Sequence, residues 1–385
     1  MLTAWAVILT GCTQVTPASD LPKTVSYPAP SKVPEAYLSL SESSSKAQPA
    51  PRRYFSIGSS LLPSPGQSNG EPTPNGDTSQ VLLEPFEAEG NTLYRLNGGD
   101  YLISRPLEEN ANAKAAIANR ATQMRLLAEK HPGVRFYTYF VTRATNCDWY
   151  GKLNNIYTYD YATYFEEQLG SDTRIKSARY VIADLQDYMD TGYKTDFHVN
   201  SVGSYRVYQD IYAMLSKDMP LSPMLPPLRV MDFSGLRMIG DLFHDKDVAK
   251  ALLTEEQMDL FEVFAFDYGS YDSFVSDKKM TVGLEEEYAQ GMIDRSPTFG
   301  HQFSYYGGQT GIVRFEFHQP ERPNLLLLSD SQGRPSRKLL ASHFNRTVFL
   351  DDVQSRSEDI DRIIGENEIG VVILLGQESM FEYYE

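Results

Sequence analysis

The last third of the sequence alternates short apolar runs with helical segments, and this pattern restricts the possible folds more than any other feature. The apolar runs are Asn324–Leu328, Thr347–Leu350 and Val371–Leu375, each about the length of one strand. Between them, Pro335–Phe344 and Ser357–Glu366 have the spacing of apolar residues that is typical of helices. Strands joined by helices lie parallel, and a parallel sheet is covered by helices on both faces. The sequence therefore predicts an α/β fold with a mostly parallel sheet between two helical layers.

A helix followed by a strand also opens the folded part, which we expect to span residues 81–385. Asn110–Lys130 is a predicted helix, because its apolar residues share one face and a Pro-Gly pair follows its end. Val134–Val141 is a predicted buried strand, and shorter strands are predicted at Thr92–Leu96 and Tyr101–Ile103.

Residues 150–305 are less regular, and we expect them to decorate the sheet and to shape the cleft. Prolines between residues 220 and 227 indicate a loop. Helices are predicted at Ala178–Met189, Val202–Leu215 and Glu255–Val263.

The first 80 residues have a different composition. An apolar run ends in Leu9-Thr10-Gly11-Cys12, which resembles the end of a bacterial lipoprotein signal segment and is too short to span a bilayer. Residues 13–80 are rich in Ser, Pro, Gly, Thr and Asn, so they lack the apolar surface that a core requires. We expect residues 1–12 to be a signal segment, Cys12 to be lipidated, and residues 13–80 to be a disordered tether. The protein would then be an extracytoplasmic lipoprotein on the bacterial cell surface. A coincidental Gly-Cys pair is the alternative.

The charge of the chain limits its partners. The formal net charge is −16 and the isoelectric point is about 4.9. Such a surface repels phosphate groups, so we expect no nucleic-acid partner. Neutral or weakly charged carbohydrate fits better, and the 25 tyrosines would suit stacking on sugars, although core and strand packing is their ordinary explanation.

Three residues from two distant segments suggest a catalytic site. Within Lys194–Asn200, Asp196 precedes His198 by two residues, just before the predicted helix Val202–Leu215. Ser331 follows the leucine-rich strand at a turn, where α/β folds present a nucleophilic hydroxyl at the carboxyl edge of the sheet. A histidine can accept the proton of that hydroxyl, and an aspartate can hold the imidazole in the required tautomer. The sequence predicts a Ser331–His198–Asp196 triad.

Each of these residues also has a structural explanation. A lone histidine is more often an ordinary hydrogen-bonded residue than a catalytic base. Asp196 would suit the positive N-terminus of the helix that follows it, and Asp330 and Ser331 would suit the cap of the next helix. One distance separates the two interpretations. In a triad, Ser331 Oγ lies about 2.6–3.2 Å from a ring nitrogen of His198, or somewhat further in an unliganded form.

Backbone N–H groups near the serine are candidates for an oxyanion hole. The N–H of Gln332 is one, and Gly308 in the segment Tyr306-Gly307-Gly308 is another, because small residues allow close approach of the backbone.

We expect no metal and no cofactor. The chain has no phosphate-cradling glycine loop and no pair of cysteines with metal-ligand spacing, and Cys147 is most simply a buried apolar residue. Three further histidines also lack such spacing: His301, His318 and His343.

In their order along the chain, these segments resemble the DHHW family, a group of bacterial extracytoplasmic SGNH-hydrolase-like proteins related to the alginate O-acetylation proteins. Asp196-Phe197-His198-Val199 is similar to the Asp-His-His-Trp motif of that family, and Leu325–Leu328 with Ser329-Asp330-Ser331 is similar to its Gly-Asp-Ser strand and turn. Gly99–Leu102 and His131–Thr142 are similar to its N-terminal strand and first core strand. The resemblance implies a permuted SGNH-like three-layer fold, in which the Asp-x-His segment precedes the serine, and the same three catalytic residues.

Two functions of different classes are consistent with these features. The first is a cell-surface serine esterase or O-acetyltransferase that acts on acetylated carbohydrate or cell-envelope polysaccharide, with an unidentified acetyl donor. The second is a non-catalytic surface protein that binds glycan or scaffolds an envelope complex. The second is favoured by three differences from the family motifs, where Phe197, Val199 and Ser329 replace a histidine, a tryptophan and a glycine.

Overall fold

The computed structural model describes residues 83–89, 91–96, 101–104, 107–154, 158–243, 245–275, 278–280, 305–306 and 312–382. The predicted signal segment, Cys12 and the tether lie outside these residues. Within the described part, no helix is both long and apolar enough to cross a membrane.

The strands and helices of the described residues have the following bounds. The strands are β1 Leu83–Ala88, β2 Asn91–Leu96, β3 Tyr101–Ile103, β4 Arg135–Val141, β5 Ile175–Tyr180, β6 Arg229–Met238, β7 Asp259–Ala265, β8 Asp272–Val275, β9 Lys278–Met280, β10 Val313–Glu316, β11 Asn324–Ser329, β12 Arg346–Leu350 and β13 Ile369–Gly376. The helices are α1 Ala111–Lys130, α2 Asp148–Asn154, α3 Tyr161–Leu169, α4 Leu185–Thr191, α5 Ser201–Ser216, α6 Lys246–Leu252, α7 Arg337–Ala341, α8 Asp352–Ser357 and α9 Ile360–Glu366.

A large, mostly parallel sheet forms the centre of the fold. Its strand order is β5-β4-β13-β11-β12-β10-β8-β9. The first five strands are parallel to their neighbours, and β10, β8 and β9 extend the sheet in antiparallel pairing. The four central strands predicted from sequence, β4, β11, β12 and β13, are confirmed as neighbours in one sheet. Two smaller antiparallel sheets, β1-β2-β3 and β6-β7, lie outside it.

Both faces of the large sheet are covered by helices. Successive residues of a strand point to opposite faces, so alternate residues of β11 pack against different helices. Leu325 and Leu327 pack with residues of α5 and α7, whereas Leu326 and Leu328 pack with residues of α1, α3 and α9. All four leucines are at most 1% exposed, and burial of such a side chain typically contributes about 1.5–3 kcal/mol. The leucine run therefore anchors both cores, which explains why it contains no polar residue.

Two predicted helices are wrong. The segment Ala178–Met189 divides into the end of β5 and the separate helix α4, because β5 pairs in parallel with β4. The segment Glu255–Val263 forms a 3₁₀ turn at Glu255–Gln257 and then β7, whose residues alternate between buried and exposed as it pairs with β6. The helix Val202–Leu215 is confirmed as α5.

The order of the strands places a crevice beside β11. From β11 the chain passes to β12 on one side and then to β13 on the other, so the direction of winding reverses at β11. Ligand sites in open α/β sheets gather at the carboxyl ends of strands where this reversal occurs. Ser331 lies two residues after the end of β11, at that point.

Candidate active site

A closed loop between α4 and α5 carries Asp196 and His198. Its two ends are joined by a bridge between Gly192 and Val199, and the N–H of Tyr193 donates to the carbonyl of His198 at 3.3 Å. The side chain of Asn200 then caps α5 by accepting from the N–H groups of the first turn. The loop is thus fixed at both ends by backbone pairing and by a helix cap.

The turn after β11 is organised by the buried carboxylate of Asp330. One of its oxygens accepts from the N–H of Gln332 at 2.9 Å, and the other accepts from the N–H of Gln377 at 2.8 Å. Gly376, at φ +158°, lies so close that an added Cβ would fall 2.6 Å from the Asp330 carboxyl carbon. Burial raises the pKa of Asp330, and the two N–H donors partly offset this rise. Asp330 therefore joins the end of β13 to the turn that holds Ser331.

The structure brings Ser331, His198 and Asp196 together. His198 Nε2 lies 2.6 Å from Ser331 Oγ, and His198 Nδ1 lies 2.5 Å from Asp196 Oδ1. Because Asp196 is acceptor-only when ionised, Nδ1 carries the proton and Nε2 is left to accept from the serine hydroxyl. Asp196 and His198 are both buried, and Ser331 is half-buried.

The electrostatics of the pair favour an ionised aspartate beside the histidine. Burial alone would lower the pKa of His198, but the Asp196 carboxylate outweighs burial and the net pKa lies above its usual value of 6.5. Burial would likewise raise the pKa of Asp196, but the charge and hydrogen bonds of His198 hold it below 3.8.

The side chain of Gln332 joins the serine turn to the histidine loop. Its amide nitrogen donates to the carbonyl of Phe197 at 3.3 Å, and its amide oxygen accepts from the N–H of Val199 at 3.3 Å. These two residues flank His198, so the imidazole and the serine are held by one side chain that is 1% exposed.

The alternative cap roles do not describe these residues. Asn200 is the cap of α5, whereas Asp196 bonds the N–H and the ring of His198 and the N–H of Asp241. After β11, the first helical turn begins at Gly333 without a side-chain cap.

Neither of the two predicted oxyanion donors is seen to be available in the described part of the structure. The N–H of Gln332 donates to Asp330 and is therefore not available to a substrate. Gly308 lies outside the described residues.

A pocket borders His198, and its lining includes two residues that sequence reasoning missed, Arg143 and Gln377. Arg143 follows β4 and Gln377 follows β13, so both lie at the carboxyl edge of the sheet. The guanidinium of Arg143 forms an ion pair with Glu378 and lies 4.9 Å from the ring centre of Phe197. That ring stacks on His198 with 4.4 Å between ring centres. The rule that sites gather at this edge would have identified both residues.

Within the described part of the chain, one group of possible metal ligands overlaps the predicted triad. Ligand atoms of Asp196, His198 and Asp241 lie within 4.8 Å of one another. The atoms of the first two already bond each other and Ser331, so they form a hydrogen-bond network rather than an open ligand set. Of the other histidines considered, His318 pairs with Asp272, His343 bonds Tyr208, and His301 lies outside the described residues.

Comparison with known proteins shows similarity in structure alone. No protein-family model matches the sequence, and no curated protein matches it significantly. The structure of Bacillus cereus PatB1 with a sulfonyl adduct superposes with a TM-score of 0.58 at 18% identity, over 79% of this chain and 100% of that chain. A DHHW family protein from Eubacterium siraeum superposes with a TM-score of 0.56 at 16% identity, over 79% of this chain and 96% of that chain. The chain therefore has the fold of these two proteins, which is the SGNH-hydrolase-like α/β fold that its motifs predict.

Proposed function

We propose that this protein is a serine-dependent enzyme that moves acetyl groups on carbohydrate, as an esterase or an O-acetyltransferase. Ser331 is the nucleophile, His198 is the base and then the acid, and Asp196 orients and stabilises the imidazole. The observation that carries the proposal is the pair of short contacts on the two nitrogens of His198, at 2.6 Å to Ser331 and 2.5 Å to Asp196.

The reaction has two half-steps. Ser331 Oγ attacks the acetyl carbonyl while its proton passes to His198 Nε2, and the imidazolium then protonates the departing alcohol. This leaves an acetyl ester on Ser331. Water or a sugar hydroxyl attacks the ester in turn, gives its proton to His198, and releases Ser331 as the leaving alkoxide takes that proton back. The choice between water and sugar decides between hydrolysis and transfer.

Two groups are suited to stabilise the oxyanion. The N–H of Ser331 lies at the turn and has no hydrogen-bond partner within the described part of the chain. Gln377 lines the pocket that borders His198, and a glutamine amide can donate. A single donor of this kind typically contributes about 2.7–4 kcal/mol.

The charges near the site favour a neutral carbohydrate. Asp196, Asp330 and Glu378 are buried, and each bonds a residue that lines the pocket: His198, Gln377 and Arg143, respectively. The net charge of −16 adds to the repulsion of anionic polymers.

The sulfonyl adduct of PatB1 suggests a direct probe. Sulfonyl fluorides react with an activated hydroxyl, because the oxygen displaces fluoride and forms a stable sulfonate ester. The same chemistry is expected of Ser331.

Anchoring at the cell surface belongs to the same proposal. It rests on the sequence of Leu9–Cys12 and on the composition of residues 13–80. A tether of that length would hold the catalytic domain within reach of envelope polysaccharide.

Treatment of the protein with phenylmethylsulfonyl fluoride, and separately with p-nitrophenyl acetate, tests the catalytic proposal. Mass spectrometry should locate the sulfonyl and acetyl groups on Ser331, and Ser331→Ala should carry neither. A folded protein that gives no adduct on Ser331, and no turnover of the ester, would exclude the enzyme and leave the glycan-binding function.

A further inference from the structure

A buried carboxylate outside the triad is bonded to the segment that carries Asp196. Asp259, at the start of β7, is 4% exposed. Its Oδ2 accepts from the N–H of Thr195 at 2.9 Å and from the Thr195 hydroxyl at 2.6 Å, and its Oδ1 accepts from the N–H of Lys194 at 2.5 Å. All three bonds go to the two residues immediately before Asp196.

The hydrogen bonds of Thr195 fix the direction of this network. The Thr195 hydroxyl accepts from the N–H of Gly240 at 2.9 Å, so its own proton is directed to Asp259. Asp259 therefore faces three donors, which only an ionised carboxylate can satisfy in full. Asp241 follows Gly240 in the chain, and its N–H donates to the Asp196 carboxylate at 3.2 Å. Thr195 thus links β7 to the segment that holds the aspartate of the triad.

We propose that Asp259, acting through Thr195, is a positioning residue that holds Asp196 in the orientation that His198 requires. The inference rests on the proposed function of the Ser331 site. Asp259 touches neither His198 nor Ser331, so its effect passes through the segment Lys194–Asp196.

The surroundings of Asp259 make its ionisation sensitive to mild acid. Burial raises the pKa of Asp259 to about 6, and the nearby charge of Asp196 adds to the rise. The three donors lower this pKa, but they do not cancel the effect of burial. The other titratable groups that face it are Tyr188 and Tyr193, both with raised pKa values, and Lys194, whose ammonium bonds the carbonyl of Glu256. Protonation of Asp259 would leave one donor of the network without an acceptor.

The test compares Thr195→Val with Thr195→Ser in the full-length protein. Valine keeps the shape of threonine and removes the hydroxyl, whereas serine keeps the hydroxyl. The probe is the rate at which phenylmethylsulfonyl fluoride modifies Ser331, followed by mass spectrometry, together with the melting temperature. We expect Thr195→Val to slow modification by about tenfold to hundredfold, because a misplaced catalytic group has effects of that size. Thr195→Ser should retain the wild-type rate.

A second comparison uses the pH profile, which a merely structural role would not change. In the wild type, the logarithm of the modification rate should fall with a slope between one and two over roughly the first two pH units below the pKa of Asp259, because both His198 and Asp259 take up protons there. In Asp259→Asn the slope should be one. Asp210→Asn is the matched control, since it removes a partly buried carboxylate that accepts from Tyr139 at 2.7 Å outside this network. Its slope should equal that of the wild type.

The outcomes separate the two proposals. If the wild type is not modified at Ser331, the proposed function fails. If the wild type is modified, but Thr195→Val is folded and reacts at the wild-type rate, or Asp259→Asn retains the wild-type slope, Asp259 has no positioning role.

Discussion

Gly240 lies so close to Asp196 that a Cβ added to it would fall 2.2 Å from the Cβ of Asp196 and 2.6 Å from its Oδ2. Real side chains do not approach so closely, so Asp196 can occupy its position only beside a glycine. The sequence around Gly240 gives no sign of this requirement, because the two residues are 44 positions apart.

The first prediction follows from this contact. Gly240→Ala should displace Asp196 and lower ester turnover by on the order of a hundredfold, as small misplacements of catalytic groups do. Gly133→Ala is the control, since nothing lies within 4 Å of its added Cβ. Turnover should be measured with p-nitrophenyl acetate on both variants. Equal activity in the two would contradict the need for glycine at position 240.

The second prediction separates chemistry from stability at two serines that follow β11, Ser331 and Ser336. Ser331→Ala should abolish turnover and leave the melting temperature nearly unchanged, because its hydroxyl is half-buried at a turn. Ser336 is fully buried and donates to the carbonyl of Ser204 at 2.9 Å. Ser336→Ala should therefore lower stability by about 1 kcal/mol and keep turnover per folded molecule. Calorimetry and ester assays on both variants give the comparison, and turnover that persists in Ser331→Ala would rule out the mechanism.

The third prediction concerns the pH dependence of activity. Only neutral His198 can accept the serine proton, and Asp196 holds the pKa of His198 above 6.5 despite the opposing effect of burial. Activity should therefore fall with decreasing pH at a midpoint above 6.5. Asp196→Asn should move this midpoint downward and reduce kcat by on the order of 10⁴, by analogy with serine proteases. The measurement is kcat/KM against pH for both proteins, and an unshifted midpoint in Asp196→Asn would speak against the assigned pair.

The fourth prediction concerns stability and His343, which lies outside the site. Burial lowers the pKa of His343 to about 4. The hydroxyl oxygen of Tyr208 lies 2.8 Å from His343 Nε2. A folded-state pKa below the unfolded value means that the neutral form is favoured in the fold. The contribution of neutral His343 to the free energy of unfolding is complete above pH 6.5. It is lost as the pH falls towards 4, and the total loss is about 3 kcal/mol.

Urea unfolding at pH 7.5 and pH 4.5 checks this value. His343→Gln lacks the titrating group, so it should lose less stability than the wild type over the same interval. An equal loss in both proteins would show that His343 is not the cause.

The fifth prediction concerns the amino-terminal segment. If Cys12 is lipidated, Cys12→Ser should release the protein from membranes into the soluble fraction. Fractionation of cells that express each form, with detection of the protein in both fractions, provides the test. A variant that stays with the membrane fraction would exclude anchoring through Cys12.

Local patterns predicted the central sheet well because its strands are unusually apolar. The runs that became β4, β11, β12 and β13 are buried on both faces, so each stands out from its polar flanks. The segment after residue 175 lacks this contrast. Ala178 and its neighbours have helical preferences, but pairing with β4 determines their conformation. Such pairing between distant segments is not encoded in local preference.

The meeting of Ser331 and His198 at the candidate site was predictable, because both have reactive groups at positions that the sequence makes recognisable. Ser331 and His198 carry reactive groups at a strand end and before a helix, and those positions were visible in the sequence. Gln332, Asp259 and Gly240 act through contacts with distant residues. From sequence, Gln332 offered only a backbone N–H at a turn, Asp259 a carboxylate and Gly240 a loop glycine, so only the folded structure reveals these contacts.

The place of β13 in the sheet has a consequence for biosynthesis. β13 lies between β4 and β11, yet the ribosome makes it after both. A nascent chain that has not reached residue 369 can pair β5 with β4 and β11 with β12, but each pair keeps an open inner edge. Those two fragments become one sheet only when β13 inserts between them. The hydrogen bond from the N–H of Gln377, just after β13, to Asp330 also forms at that moment, so the geometry around Ser331 is completed only after β13 has been translated.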